Sequence, residues 1–150
     1  MHLRLSISVD KPIQEVFERF ADPEFTARVD RNTYGATLLS GKPLSKGAVW
    51  KLKLRAPLVG SMQQTQTYTE VDAPYRFAME IDQRGWSGKE VETFEVGANG
   101  AVDVTWDANW KLDWYATPFY LGIRWMVKSG AEVWLADMKQ AIESGKDPGA

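Results

Sequence analysis

The sequence predicts an α+β protein in which a curved antiparallel sheet of about seven strands wraps around a long C-terminal helix, with one or two short helices after the first strand. Three observations lead to this fold class. Residues 102–114, "VDVTWDANWKLDW", alternate apolar and polar side chains without a break, which is typical of a long strand with one dry face. Several other segments alternate in the same way and are joined by short turns. Residues 117–145 change to helical spacing.

The chain opens with a strand and a helical segment. Apolar and polar residues alternate over residues 3–9, which predicts the first strand. In the next stretch, "DKPIQEVFERFAD", Asp10 is expected to cap a helix and Pro12 to occupy its first turn, because the apolar residues that follow recur at helical spacing. Pro23 ends this helix, and a second short helix can follow around residues 23–30.

The middle of the chain reads as a run of strands. Each has β-branched, aromatic or alternating apolar residues and ends at a turn rich in Gly, Pro, Asn or Asp. Because every connection is short, we expect an antiparallel meander. The segments before the tryptophan strand are "ATLLSG", "AVWKLKLRA", "MQQTQTYTEV", "FAMEID" and "EVETFEV".

The turn "GANGA" allows two registers for the hairpin that leads into the tryptophan strand. A two-residue turn would place Trp106 opposite Thr93, whereas a five-residue loop over 97–101 would place it opposite Glu92. We prefer the five-residue loop because it pairs apolar residues with one another. That register sends Glu92, and can send Glu90, toward the concave face of the sheet.

The last segment predicts one long helix. Thr117 is expected to cap it, Pro118 suits its first turn, and Gly145 suits its C-terminal stop. Gly122 and Gly130 lower the helix propensity, which indicates close packing or a bend at these positions.

Length and composition limit the classes of function. A chain of 150 residues predicts one domain over 1–150, with a frayed tail at 143–150. The net charge of −2 and the lack of a basic cluster argue against nucleic-acid binding. The absence of cysteine, of a signal-peptide-like start and of a long apolar run predicts a cytoplasmic protein without a membrane span. Because His2 is the only histidine, we expect no metal site and no Ser-His-Asp triad. The sequence has no P-loop and no dinucleotide-binding fingerprint, so we expect no cofactor.

Three segments resemble a known superfamily. They are "VDKPIQEVFERFADPE" at 9–24, "YTEVDAPYRFAMEI" at 68–81 and "TFEVGANGAVDVTW" at 93–106. With the element order, they resemble the START-like helix-grip proteins, which include the polyketide cyclase/dehydrase and lipid-transport family, the pollen-allergen group and a component of carbon monoxide dehydrogenase. The resemblance implies a cavity between sheet and helix that holds an apolar or aromatic small molecule. Only some members are enzymes, and no catalytic motif of the family is found here.

Two sets of polar residues are candidates for the wall of such a cavity. A carboxylate at Glu92, held against an indole in a dry cavity, would have a raised pKa and could act as a general acid or base, with Tyr68 as its partner. The alternative is that Glu92 is solvated or pairs with Arg124 or Lys128. On the strand 62–70, either the face that carries Gln64, Gln66 and Tyr68 or the opposite face points inward, where amides and hydroxyls would orient a ligand.

Seven tryptophans are more than an aliphatic core needs. Each one alone can be explained by core packing, but a flat aromatic ligand would explain several together. Trp86 and Trp125 are candidates for the cavity mouth or a dimer contact, and Arg55 and Arg124 for holding a ligand carboxylate. The candidate ligand-binding residues are Trp50, Gln64, Gln66, Tyr68, Met79, Trp106, Trp110, Phe119, Ile123, Val127 and Trp134.

Three functions remain open from the sequence. The first is binding or carriage of a small hydrophobic molecule, aromatic or polycyclic, by a monomer or homodimer. The second is a cyclase/dehydrase-like enzyme in which Glu92 and Tyr68 move protons on an enolisable ligand. The third is an accessory protein that docks a partner through exposed aromatic residues. An enclosed pocket lined by Glu92 and Tyr68 would favour the enzyme, and a filled interior would favour docking.

Overall fold

The computed structural model describes residues 1–56, 59–145 and 147 of the chain. Its seven strands form one antiparallel sheet: β1 (His2–Val9), β2 (Thr33–Ser40), β3 (Val49–Ala56), β4 (Gly60–Asp72), β5 (Arg76–Gln83), β6 (Trp86–Val96) and β7 (Val102–Leu112). The helices are α1 (Ile13–Phe20), α2 (Pro23–Val29) and α3 (Tyr120–Ser144), which follows a 3₁₀ turn at Thr117–Phe119. The expected α+β helix-grip architecture is confirmed.

The strand order is β1-β7-β6-β5-β4-β3-β2. Strands β2 to β7 follow one another as the expected meander, and β1 adds to the free edge of β7. The segment α1–α2 therefore carries the chain from one edge of the sheet to the other. The hairpin between β6 and β7 has the five-residue loop, closed by the Gly97 amide donating to the Ala101 carbonyl, so Glu92 lies opposite Trp106 as expected.

Two of the expected helix caps are wrong. Pro12 occupies the N-cap position of α1, so Asp10 lies two residues too early for its carboxylate to cap the helix. The backbone amide of Asp10 donates to Glu143 Oε2 at 2.8 Å. The hydroxyl of Thr117 donates to the Asp113 carbonyl and does not cap α3. The two helices begin at Ile13 and Tyr120, so neither Asp10 nor Thr117 lies at an N-cap position. Gly145 does end α3 in a left-handed conformation, as expected.

The interior contains a tightly packed aromatic cluster at one end. There, the rings of Phe17, Phe20, Tyr68, Phe77 and Phe94 contact one another beneath α1. By contrast, the buried residues of α3 begin only at its twelfth residue, and the preceding part of the helix is half-buried or exposed.

The glycines of α3 lie in this loosely packed part of the helix. The expectation of close packing at Gly122 and Gly130 is wrong, because a Cβ added at either position would meet no atom within 4 Å. Gly130 borders the space beneath the helix, whereas Gly122 is exposed to solvent.

The end of the chain is partly described. Residues 143–145 complete α3 and its cap, and Asp147 accepts hydrogen bonds from Arg28 and Arg19. The rest of the expected frayed tail, 146 and 148–150, lies outside the described residues. Within the described part of the chain, no helix is long and apolar enough to span a bilayer, and no acidic, histidine or cysteine cluster is suited to a metal ion.

Candidate functional site

A cavity of about 340 Å³ lies between the concave face of the sheet and α3. This volume is at the lower end of the roughly 300–1,000 Å³ typical of small-molecule sites. Strands β3 to β7 supply the floor, the region around α2 supplies one side, and the middle of α3 supplies the roof. Trp125 lines the cavity yet is 63% exposed, so it marks an opening to solvent.

Two carboxyl groups of β6 enter the cavity side by side. Glu90 and Glu92 are two residues apart on one strand, so both point to the inner face, where they are 7% and 2% exposed. The indole Nε1 of Trp106 donates to Glu90 Oε2 at 3.1 Å. Oε2 of Glu92 has no hydrogen-bond partner among the described residues. Sequence reasoning therefore placed Glu92 on the correct face.

Burial changes the acidity of both groups. It raises the pKa of Glu90 to about 7. The indole N–H of Trp106 opposes this rise by donating to the carboxylate. The nearby indole of Trp110 also opposes it, although its N–H does not reach hydrogen-bond geometry. Burial, and then the charge of Glu90, raise the pKa of Glu92 well above its usual range. Both acids can therefore carry a proton near neutral pH.

Neither expected cation partner of Glu92 is in place. Arg124 donates to the His2 carbonyl at 2.8 Å, and Lys128 lies 3.8 Å from Glu132. Arg55 does line the cavity, where it donates to the Arg31 carbonyl and lies over the Tyr34 ring. Arg55 therefore remains a candidate for binding a ligand carboxylate at the edge of the cavity.

Four indoles line the same cavity as the two carboxyl groups. Trp86 and Trp110 stack with centroids 5.8 Å apart, and Trp106 meets Trp110 and Trp134 edge-on at 6.2 and 6.4 Å. The Nε1 atoms of Trp86 and Trp110 are buried without a hydrogen-bond partner among the described residues. Trp86 is thus inside the cavity wall and not at its mouth, whereas Trp125 is at the mouth as expected.

A glycine lies opposite one of the stacked indoles. Gly88 lies opposite Trp110 in the β6–β7 ladder, and a Cβ there would stand 2.2 Å from the Asn109 carbonyl oxygen. Only glycine permits so close an approach of the two backbones. The close spacing of β6 and β7 at this point therefore depends on Gly88.

A chain of amides crosses the floor. Gln66 Nε2 donates to Gln64 Oε1 at 2.8 Å, and Gln64 Nε2 donates to Gln83 Oε1 at 2.6 Å. This decides which face of β4 points inward: it is the face with Gln64, Gln66 and Tyr68. Gln83 was missed by sequence reasoning, although it continues the alternation of Phe77, Met79 and Ile81 along β5.

Tyr68 is buried at the solid end of the cavity. Its hydroxyl donates to the Ala21 carbonyl at 2.9 Å, and its ring stacks on Phe77 at 5.6 Å. Burial, followed by the charges of Glu92, Asp22 and Glu90, raises its pKa well above 10. The hydroxyl proton is therefore engaged within the protein.

Three of the candidate ligand-binding residues do not line the cavity. Trp50 is buried in the core near one end of β3, Phe119 is 68% exposed on the 3₁₀ turn, and Ile123 is half-buried against the core. Period-two alternation predicts which face of a strand points inward, but it does not predict which residues along that face border the cavity. In the same way, helical spacing does not predict which turns of a helix pack against the core. The other candidates, Gln64, Gln66, Tyr68, Met79, Trp106, Trp110, Val127 and Trp134, line the wall.

Asp30 is a further wall residue that sequence reasoning missed. It follows α2, and its Oδ2 accepts a hydrogen bond from the Thr33 hydroxyl at 2.6 Å. Burial raises its pKa. No pattern in the sequence distinguishes it from an ordinary turn aspartate.

The sequence matches the family model described as polyketide cyclase/dehydrase and lipid transport over residues 1–143. The chain belongs to this family. No protein of curated function matches the sequence. The superfamily resemblance of the three sequence segments is thus confirmed for the polyketide cyclase/dehydrase and lipid transport family.

Solved structures support the same family fold. A conserved protein from Geobacillus kaustophilus superposes with a TM-score of 0.77 at 13% identity, with 96% of each chain covered. A START superfamily protein from Mycobacterium smegmatis gives 0.80 at 7% identity, covering 97% of this chain and 99% of that one. The di-domain ARO/CYC StfQ of the steffimycin biosynthetic pathway gives 0.70 at 12% identity, covering 94% of this chain and 44% of that one. At these identities the likeness shows the fold.

Proposed function

We propose that this protein binds and carries a small apolar molecule with a flat aromatic or polycyclic body in the cavity under α3. The observation that carries the proposal is the open space itself. A volume of about 340 Å³ could hold roughly ten waters at ~30 Å³ each, whereas protein cores are normally packed to the density of organic crystals. Space of this size beside four indoles is suited to a ligand.

The chemistry of the wall supports a flat ligand with a few polar groups. Indole rings offer extended apolar surfaces, which favour the stacking of another ring. The amide chain on β4 and β5 and the spare N–H group of Trp86 offer directed hydrogen bonds within that apolar wall. This combination of apolar area and few polar anchors is typical of small-molecule sites.

An enzymatic role is the second candidate, and the acid pair favours it. Glu92, buried with an unpartnered oxygen, would exchange a proton with an enolisable ligand, and Glu90 would act as its neighbouring acid or base. Tyr68 could contribute only by giving up its hydrogen bond to Ala21. Partner docking has less support, because the interior is not filled and Trp86 is buried.

A matched pair of variants tests the carrier proposal. Gly130 lines the cavity and Gly122 does not, yet both are glycines of α3 with room for a side chain. Gly130→Phe should fill the cavity, and Gly122→Phe should leave it open. Tryptophan fluorescence would be titrated with a panel of fatty acids and polyphenols. We expect quenching by at least one class in the wild type and in Gly122→Phe, and its loss in Gly130→Phe; equal quenching in all three proteins would contradict the proposal.

Native mass spectrometry identifies what the protein carries. Protein purified from its own host would be measured beside the Gly130→Phe variant prepared in the same way. We expect a retained small molecule in the wild type and none in the variant. The same adduct on both proteins would place binding outside the cavity.

A further inference from the structure

The carboxyl groups of Glu90 and Glu92 are buried without a positive partner. Among the ion pairs of the described residues, none involves either group. Buried acids in proteins are usually paired or bind a cation, because an isolated charge loses its hydration. Two unpaired acids side by side in one cavity wall therefore suggest that a bound cation compensates their charge.

The other elements around the cavity do not supply a cation near this pair. The residues that α3 presents to the cavity include no ionisable side chain. β4 contributes the Tyr68 hydroxyl, and the loop after α2 contributes Asp30, which is also acidic. Arg55 of β3 is the cationic residue of the described wall, and its guanidinium is engaged with the Arg31 carbonyl and the Tyr34 ring. The interior is thus rich in groups that attract positive charge.

The aromatic rings add to this attraction. Trp86, Trp106, Trp110 and Trp134 line the same cavity as the two acids. The face of an indole carries negative electrostatic potential and binds ammonium groups, and it does so most strongly where water is excluded. A neutral hydrogen bond, by contrast, could be given by glutamines such as those on β4, without burying any acid.

We propose that the ligand is an organic cation: a flat apolar molecule with one protonated amine, whose ammonium group is held at Glu92 Oε2 and Glu90 among the indoles. This inference rests on the proposed carrier function and names its ligand class. The spare N–H group of Trp86 would bind an acceptor oxygen elsewhere on the same molecule. Because burial raises the pKa of Glu90 to about 7, an incoming ammonium should displace a proton from the pair when it binds below that pH.

Three probes with one ring system separate charge from shape. They are 2-naphthylmethylamine, 2-naphthalenemethanol and 2-naphthoate, which carry an ammonium, a hydroxyl and a carboxylate on the same bicyclic body. Isothermal titration calorimetry would be run at pH 8, and at pH 6 in two buffers that differ in ionisation enthalpy. The variants are Glu92→Gln and Glu90→Gln, with Glu95→Gln as the control, because Glu95 is exposed on the same strand.

We expect the amine to bind at least about tenfold more tightly than the alcohol at pH 8, the range of a charge-assisted hydrogen bond, and the carboxylate to bind weakest. At pH 6 the amine should release up to one proton and the alcohol none. Glu92→Gln and Glu90→Gln should remove the preference for the amine, while Glu95→Gln should keep it. Proton release is read from the wild type alone, so the test does not depend on the variants folding.

Two results would contradict the inference in distinguishable ways. If the alcohol binds as tightly as the amine and no proton is released, the ligand is not selected by positive charge, but the carrier function stands. If none of the three probes and no member of the fatty-acid and polyphenol panel binds, the carrier function fails, and the cation inference fails with it.

Discussion

Trp106 lies opposite Glu92 in the β6–β7 ladder but donates its indole N–H to Glu90, at 3.1 Å. The diagonal contact satisfies one carboxyl group and leaves Oε2 of its neighbour without a partner among the described residues. An unsatisfied oxygen beside open space is what distinguishes this cavity from a defect in packing, because it directs one polar atom at whatever occupies the site.

Glu90 should make stability fall as the pH rises. Its pKa is about 7 in the folded protein, against an ordinary value of 4.5 for a solvated glutamate, so the folded state holds the proton more tightly. The contribution of Glu90 to the free energy of unfolding is therefore fully present below about pH 4.5 and is lost as the pH rises through 7. This loss is at most about 3 kcal/mol. We expect Glu90→Gln to remove much of this loss, as measured by urea unfolding at pH 5, 6, 7 and 8.

Glu95→Gln is the control for that measurement, since Glu95 is exposed on the same strand. It should follow the wild-type dependence on pH. If Glu90→Gln also follows the wild type, the acidity assigned to Glu90 is wrong.

Trp106→Phe should destabilise the protein more at pH 8 than at pH 5. The variant loses the N–H donor to Glu90, and a hydrogen bond to a charged group contributes about 1.5–3 kcal/mol. At pH 5 the carboxyl group is protonated, so less is lost. Trp50→Phe removes an equally buried indole whose N–H has no partner among the described residues, so its cost in urea unfolding should not change with pH. Equal pH dependence in the two variants would contradict the role given to the Trp106–Glu90 contact.

Gly88→Ala should be strongly destabilising, by about 3 kcal/mol or more, because its Cβ would stand 2.2 Å from a backbone oxygen of β7. Gly122→Ala is the matched control, and it should stabilise the protein by up to about 1 kcal/mol through helix propensity. Thermal unfolding of both variants measures the difference. A Gly88→Ala protein as stable as the wild type would show that the two strands can separate at little cost.

The inward faces of the strands and one hairpin register could be predicted from the sequence. Alternation placed the faces of β5 to β7, and pairing of apolar residues chose the five-residue hairpin loop, so Glu92 was assigned correctly to the concave face. Helix ends were less predictable. Asp10 and Thr117 have the chemistry of caps, but α1 and α3 begin at Ile13 and Tyr120, so neither residue lies at the N-cap.

The cavity could be predicted only in part, because residues that border a cavity and residues that pack in the core follow the same alternation in the sequence. Trp50 and Trp110 carry the same strand pattern, yet only Trp110 borders the open volume. Gln83 becomes a wall residue through its contact with Gln64, and Asp30 does so through the path of the chain after α2. Both depend on tertiary packing that local sequence does not encode.

A crystal structure of the wild-type protein grown with saturating 2-naphthylmethylamine tests the central claim most directly. We expect electron density for the naphthalene ring between the β6–β7 floor and α3, with the amine nitrogen within hydrogen-bond distance of Glu92. Side chains that close the space between Trp106 and Val127, with the probe absent or bound only at the protein surface, would contradict it.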